Sequence, residues 1–350
     1  MKNAHWIAPA LLAVGLAGCG GGGGGGDGGA TAGGGGTVSA PAPAPAVVIT
    51  QANAPTVGAH GLDAAQDDSS TNTAGILTGV QVQGGADVGP LALAAIARRM
   101  GGKVTALPLA SGVQVDETQP CQNGGSVRIV GTVASNSALG AGDDLTITAT
   151  NCAEPVNGVM TTLNGQMRFE ITAGSMPGSG VPPFHVVLRV TTTALSVQTS
   201  TDLATSDGDM TIDLTMTSST AQTLVVSGTS LSSSATINGV QRRRTLANYS
   251  QRVVLNGSTV TGAVSGTVTT DSTRLGPAGG TFTLSTPQDL RWSTTSDAPV
   301  AGQLKVTGAG NSAVRLTFGA SSVTVETDAN GDGTYEGSTT ATVAQLQGLL

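Results

Sequence analysis

The chain has 350 residues, of which 39% are hydrophobic and only 2% aromatic, and it carries 15 Lys and Arg against 22 Asp and Glu, a formal net charge of −7. This acidic balance argues against nucleic acid as a partner. The 52 glycines and three cysteines are the other compositional features, and both kinds of residue occur early in the chain.

Residues 1–18 have the features of an export signal. Lys2 precedes a short apolar run from Ile7 to Leu16, and a membrane-spanning helix would need about 20 apolar residues. The run ends in Leu16-Ala17-Gly18-Cys19, which resembles the lipobox of bacterial lipoproteins. The resemblance implies cleavage before Cys19 and acylation of its thiol and new amino terminus, which would anchor the protein in membrane lipid. An ordinary export signal followed by a chance cysteine is the alternative.

Residues 19–46 are expected to be a tether that joins the acylated cysteine to a folded body. Glycine dominates Gly20–Gly36, and alanine alternates with proline over Ala40–Ala46. The first composition is typical of flexible coil and the second of polyproline II. By resemblance to lipoprotein sorting in enterobacteria, Gly20 and Gly21 after the cysteine favour the outer membrane, with the body facing the periplasm or the exterior.

The folded body is predicted to be a single domain over residues 89–350, preceded by a loosely ordered connector over 47–88. The connector is polar and has little hydrophobic periodicity. One short helix is predicted near 90–100, because Pro90 suits a first helical turn and Gly101-Gly102 would end it. Four apolar residues share one face of this helix: Leu93, Ile96, Ala97 and Met100.

The two cysteines that remain after Cys19 are Cys121 and Cys152. In an oxidising compartment they are expected to form a disulfide. Two buried thiols that do not meet are the alternative, and a metal site is disfavoured because two cysteines without a nearby histidine supply too few ligands.

From Ser126 onward apolar and polar residues alternate, as they do in half-buried antiparallel strands. Met210, Ile212, Leu214 and Met216, for example, are separated by Thr211, Asp213 and Thr215. Asn-Gly pairs, which are strong hairpin signals, begin at Asn123, Asn157, Asn164, Asn238, Asn256 and Asn330. The sequence therefore predicts an all-β fold, a long antiparallel meander of about a dozen strands.

A sheet of that size must curl, split or close, so a curved sheet, a sandwich and a soluble barrel are all compatible with the pattern. Transmembrane barrels carry aromatic girdles at both membrane interfaces. The low aromatic content and the polar residues on one face of nearly every strand disfavour that class.

The segment Asp328-Ala-Asn-Gly-Asp-Gly-Thr-Tyr-Glu336 has oxygen-bearing side chains at alternating positions. Calcium takes such ligands from a single short loop, and a glycine permits the sharp turn. The candidate ligands are Asp328, Asn330, Asp332, Thr334 and Glu336. The twelfth position of the EF-hand pattern is Thr339 instead of glutamate, and the flanking residues have the pattern of strands. A polar hairpin turn whose side chains satisfy their own backbone is the alternative.

No catalytic pattern stands out. Arg242-Arg243-Arg244 cannot form a flat basic patch on one strand face, and a solvated edge is its simplest interpretation, although lipid phosphates are possible ligands. His60 and His185 are the histidines that remain after processing, and His185 lies on the polar side of its strand pattern. Motifs of serine hydrolases, zinc proteases or phosphate-binding loops do not occur, so we expect no enzymatic activity.

The lipobox, the glycine tether, the cysteines around "LTITATNC" and the run "AGQLKVTGAGNSAVRLTFGASSVTVETDANGDGTYE" together resemble uncharacterised β-rich lipoproteins of Gram-negative proteobacteria. The resemblance implies a location and an architecture but no activity. Two functions therefore stay open: a structural or surface-interaction lipoprotein that meets envelope components, and a binding module for lipid or another apolar ligand on a curved sheet.

Overall fold

The structure is a computed structural model, and it describes residues 44–69, 113–134, 138–156, 159–177, 181–200, 202–237, 240–294 and 298–350. Strands dominate this part of the chain. In chain order the elements are α1 (Ala54–Ser69), β1 (Val113–Pro120), β2 (Ser126–Val133), β3 (Ala138–Gly140), β4 (Asp144–Val156), β5 (Val159–Pro177), β6 (Phe184–Gln198), β7 (Leu203–Ser218), β8 (Ala221–Ile237), β9 (Val240–Asn256), β10 (Thr259–Thr270), β11 (Gly280–Ser293), β12 (Ala301–Thr307), a 3₁₀ turn (Ala309–Asn311), β13 (Ala313–Phe318), β14 (Val323–Asp328), β15 (Gly337–Ala341) and α2 (Val343–Gln347).

All strands in the described part of the chain belong to one antiparallel sheet of 15 strands. The order in the sheet is the order in the chain, β1-β2-β4 and onward to β15, with the short β3 paired to β5. Strands β1 and β15 form the two ends of this order, so the sheet is open. The all-β prediction is confirmed, and the curved sheet is the form that the structure has among those left open by the sequence.

The predicted alternation is the reason one face of the sheet is apolar. Along β7, Met210, Ile212 and Leu214 are buried while the residues between them are partly exposed. Successive strand residues point to opposite faces, so these residues face inward and the Thr and Asp residues face outward. The inward side chains of most strands join one hydrophobic core.

A row of β-bulges crosses the middle of the sheet. The pairing register shifts at Asn151 on β4, at Gly165 on β5 and near Ala194 on β6, and it shifts again on β7 to β10. A bulge bends its strand and increases the local twist. A row of them is therefore expected to bend and twist the sheet across its middle.

Asn164-Gly165 forms one of these bulges, so the hairpin turn predicted there is wrong. Gly165 has φ +101°, and a Cβ on it would lie 2.2 Å from the carbonyl oxygen of Ala194. A bulge and a tight turn both favour glycine at a positive φ, so the sequence signal is the same for both. The pairs Asn123-Gly124 and Asn256-Gly257 do lie between strands, whereas residues 157–158 and 238–239 are outside the described residues.

Residues 44–65 pack against the C-terminal half of the sheet, so the described part of the segment 47–88 differs from the loose connector expected there. Ile49 and Val57 are fully buried, and α1 contacts β9, β10 and β12–β14. Helix α1 was not predicted from the sequence because it contains Gly58 and Gly61. A Cβ at Gly61 would lie 2.3 Å from Cγ2 of Val306, so glycine at this position lets the helix approach the sheet closely. In the sequence alone, the same glycines argue against a helix, because glycine has a low helix propensity.

The helix predicted near 90–100 lies outside the described residues, as does most of the segment 1–46. Among the helices that the structure does describe, none combines the length and the apolar character needed to span a membrane.

Candidate functional site

The predicted disulfide is present between Cys121 and Cys152, whose Cα atoms lie 5.3 Å apart. Both cysteines are buried. The bond attaches the turn after β1 to strand β4, and two backbone hydrogen bonds between Asn123, Gly124 and Ala153 support the same contact. The disulfide therefore fixes the first hairpin of the sheet to its neighbour.

The candidate calcium ligands lie in the loop between β14 and β15. The structure brings together ligand atoms of Asp328, Asp332 and Glu336, which all lie within 4.8 Å of one another. Asp328, the last residue of β14, is only 2% exposed, whereas Asp332 and Glu336 are exposed. Three carboxylates at this spacing are a ligand set that suits a hard cation such as calcium.

Backbone amides also hold this loop together. Gly331 and Gly333 donate to the two carboxylate oxygens of Asp328 at 2.7 and 2.9 Å. The amide of Thr334 donates to Asp332 at 2.7 Å, and this hydrogen bond is the main reason that the pKa of Asp332 is lowered. These contacts fit the alternative of a self-satisfied polar turn, but each carboxylate oxygen keeps further acceptor capacity for a cation.

The remaining two predicted ligands take part in the loop differently. Asn330 accepts the amide of Asp332 through Oδ1 and donates to Asp332 Oδ2 through Nδ2, at 2.9 and 3.1 Å. Thr334 contacts Asp332 through its backbone amide and also through its side chain, and both hydrogen bonds lower the pKa of Asp332. The three carboxylates are thus the part of the predicted set that converges.

The end of the loop is fixed by an aromatic contact. The guanidinium carbon of Arg315 lies 4.1 Å from the ring centroid of Tyr335, and Arg315 makes a bidentate ion pair with Glu326. The Arg315 guanidinium lowers the pKa of Glu326, and partial burial raises the pKa of Tyr335. Glu336, the next residue, is consequently held near the start of the loop, where it accepts the amide of Ala329.

A second polar cluster, which the sequence did not predict, lies between α1 and the sheet. Nε2 of His60 lies 3.1 Å from Oγ of Ser272, and Asp63, one turn further along α1, forms an ion pair with Arg244 of β9. Burial lowers the pKa of His60 to about 4. The histidine is therefore neutral near pH 7, and its contact with Ser272 helps to hold the helix on the sheet. His60 was noted in the sequence only as one of the histidines, because no local pattern indicates a partner 212 residues away.

This cluster corrects the interpretation of the three arginines as a solvated edge. Strand β9 lies inside the sheet order, and Arg244 faces inward, where its side chain is 16% exposed beside Asp63. Arg242 is exposed, and the backbone amide of Arg243 donates to Asp271. His185, by contrast, lies on the outer face as expected and contacts Asp213 at 3.0 Å.

Cys19, the predicted lipidation site, lies outside the described residues. Comparison of the chain with protein-family models, with curated proteins and with solved structures found no match.

Proposed function

We propose that the protein is an exported lipoprotein of the Gram-negative outer membrane, anchored through acylated Cys19, with a structural or surface-interaction role and no catalysis. The observation that carries the proposal is the position of Cys19 at the end of an apolar run, directly after Leu16-Ala17-Gly18. The Cys121–Cys152 bond supports export, since disulfides persist mainly in oxidising compartments. It also leaves Cys19 as the one cysteine of the three outside the bridge.

The outer face of the sheet supports the proposed structural or surface-interaction role. Oppositely charged side chains on this face pair across neighbouring strands, for example Arg128 with Asp116 and Arg168 with Asp144. Each of these side chains is at least 39% exposed. Such pairs add little to stability, but they leave a hydrated, charged face that is suited to contacts with other envelope components.

Membrane fractionation with a labelled fatty acid tests the proposal. The wild-type protein is expected in the membrane fraction with label incorporated, and the variant Cys19→Ala is expected to lose the label. The double variant Cys121→Ala/Cys152→Ala is the matched control, because it removes two cysteines and leaves the lipidation motif intact, so it should keep the label. Label in Cys19→Ala, or none in the wild type, would contradict the proposal.

One observation favours the second function, a binding module for lipid or another apolar ligand. Gln251 lies on the inner face of β9 and is 3% exposed. Its cross-strand neighbours are the buried residues Val226 and Val264. Its Nε2 has no hydrogen-bond partner in the described part of the chain, and a buried amide left unpaired costs about 1 to 3 kcal/mol. A mostly apolar ligand that carries an ester or carbonyl oxygen would satisfy this donor.

Native mass spectrometry of the protein isolated from an envelope separates the two functions. A ligand-binding module should carry an apolar mass that organic solvent releases, and Gln251→Leu should reduce its occupancy while Gln114→Leu, an exposed change on β1, should not. A bare wild-type mass would argue against ligand binding and leave the structural role.

A further inference from the structure

The tether enters the folded body at one rim of the curled sheet. Ala44 accepts a hydrogen bond from the hydroxyl of Thr281, and Ala46 forms a β-bridge with the same residue, which is the second residue of β11. In an antiparallel meander, alternate connections lie at the same end of the strands. The rim that contains the start of β11 therefore also contains these turns: 121–125, 199–202, 271–279, 308–312 and 329–336. We call it the tether rim.

The tether is short in comparison with the body. From Cys19 to Ala44 there are 25 steps along the chain (44 − 19), and a flexible coil of that length would have a reach of roughly 25 to 30 Å. Strand β9 alone has 17 residues and is thus about 56 Å long. An anchor on Cys19 would consequently hold the tether rim nearer to the membrane than the opposite rim.

Exposed apolar side chains are concentrated at this rim. Five large apolar side chains are exposed in the described residues, and three of them lie here: Val48 at 61%, Met160 at 44% and Leu203 at 39%. Val48 belongs to the entering segment, while Met160 and Leu203 stand near the starts of β5 and β7. Single exposed apolar residues are ordinary on protein surfaces, but these three lie at the same end of the strands, spread along the tether rim from β5 to the entering segment beside β11.

Two exposed arginines lie at the same rim although the whole chain is acidic. Arg242 is near the start of β9, and Arg274 is in the turn between β10 and β11. Asp271 is close to them, and Asp63 is already paired with Arg244. The acidic loop 328–336 is on this rim as well, about five strands from Arg242 and about four from Arg274 in the sheet order, or about 24 and 19 Å along the sheet. Both separations exceed the screening length of about 8 Å at physiological salt. The two exposed arginines outnumber Asp271, and Asp63 is paired with Arg244, so a local excess of positive charge remains at this part of the rim.

We propose that the tether rim rests on the phospholipid surface in which Cys19 is anchored. Val48, Met160 and Leu203 enter the headgroup region, and Arg242 and Arg274 meet lipid phosphates, for which the planar guanidinium is well suited. The proposal rests on the lipid anchor of the preceding subsection, and it adds a membrane-contacting surface and an orientation of the body.

Vesicle co-sedimentation of the non-acylated mature chain, residues 20–350, tests the proposal. We expect binding to vesicles of phosphatidylethanolamine with 30% phosphatidylglycerol and weaker binding to phosphatidylcholine. The variants Met160→Asp/Leu203→Asp and Arg242→Gln/Arg274→Gln should each weaken binding roughly tenfold or more, the second with a reduced salt dependence.

Val181→Asp and Arg291→Gln are the matched controls, because Val181 is 62% exposed and Arg291 is exposed near the end of β11, both at the opposite rim. They should bind as the wild type does. Absence of binding by the wild-type chain, or an equal loss in the controls, would overturn the proposal. Because the chain used lacks Cys19, this result is independent of whether the anchor itself exists.

Discussion

His60 connects α1 to the sheet through its contact with Ser272, at a site that disfavours protonation of the imidazole. Around its imidazole are Asp63 on the same helix, Arg242 and Arg244 on β9, and Arg274 in the following turn. Burial is the largest influence on its pKa, and the three guanidinium groups act in the same direction while Asp63 opposes them. A proton on His60 would therefore add charge to a buried, already basic site.

The first prediction is that stability falls as the pH is lowered through the histidine range. The pKa of His60 falls from 6.5 to about 4 on folding, so between these values the unfolded chain binds the proton that the folded chain excludes. The contribution of His60 to the free energy of unfolding is therefore fully present above pH 6.5 and is lost progressively as the pH falls toward 4. Urea unfolding at pH 7 and at pH 5 should differ by about 2 kcal/mol for this group.

The variant His60→Gln isolates the effect, because glutamine can still contact Ser272 and does not titrate. The stability difference between pH 7 and pH 5 should shrink in this variant and persist in His185→Gln, whose imidazole is on the outer face. The same pH dependence in His60→Gln and wild type would show that other groups cause it.

Gly165 shows how closely the strands approach at the row of bulges. Gly165→Ala should destabilise the protein by about 2 kcal/mol or more, because it combines an unfavourable φ with a clash against Ala194. Gly142→Ala is the control. Gly142 also has a positive φ, +95°, but has open space around it. This change should therefore lower the free energy of unfolding only through the unfavourable backbone conformation, by about 1 kcal/mol. Equal losses in urea unfolding would mean that the close approach at Gly165 does not matter.

At the scale of elements, the disulfide is expected to stabilise the β1–β2 hairpin against its neighbour. It links residues 31 positions apart, which corresponds to about 3 to 4 kcal/mol in the chain-entropy description of the unfolded state. Cys121→Ala/Cys152→Ala should lower the urea midpoint accordingly. An unchanged midpoint would show that the hairpin is held by its strand pairing alone.

The loop 328–336 is the candidate calcium site, and thermal unfolding distinguishes it from a polar turn. A bound ion should raise the unfolding temperature in millimolar calcium relative to chelator, and Asp328→Asn/Asp332→Asn should abolish that rise. Asp289→Asn, on the exposed face of β11, should leave it unchanged. Identical unfolding temperatures with calcium and with chelator would favour the polar turn.

The strands were predictable because each is buried on one face, and that burial produces the period of two seen along β5, β6 and β7. Strand ends were less certain, since Asn-Gly marks a turn at Asn256 and a bulge at Asn164. Helix α1 was missed because its glycines serve contacts with Leu316 and Val306, which are about 250 residues away in the chain. Carboxylates that converge within one loop could be predicted from their spacing in the sequence. The cluster of His60, Asp63, Ser272 and Arg244 could not, because the first two residues are far in the chain from the last two.

At the scale of the whole molecule, the described residues form a curved, open sheet whose apolar face is covered partly by residues 44–65. The segment that begins at Ala44 is fixed to β11 and to the turn after β12, so a force on the tether would act first on these strands. The amount of curling could not be predicted from the sequence, because it depends on bulges whose positions are set by pairing between strands.

The measurement that most directly tests the central claim is the intact mass of the protein extracted with detergent from the membranes of a Gram-negative host. We predict a chain that begins at Cys19, carries the added mass of a diacylglyceryl group and an amide-linked acyl chain, and retains the closed Cys121–Cys152 bond. A mature chain without added lipid mass, recovered from the soluble periplasm, would contradict the account.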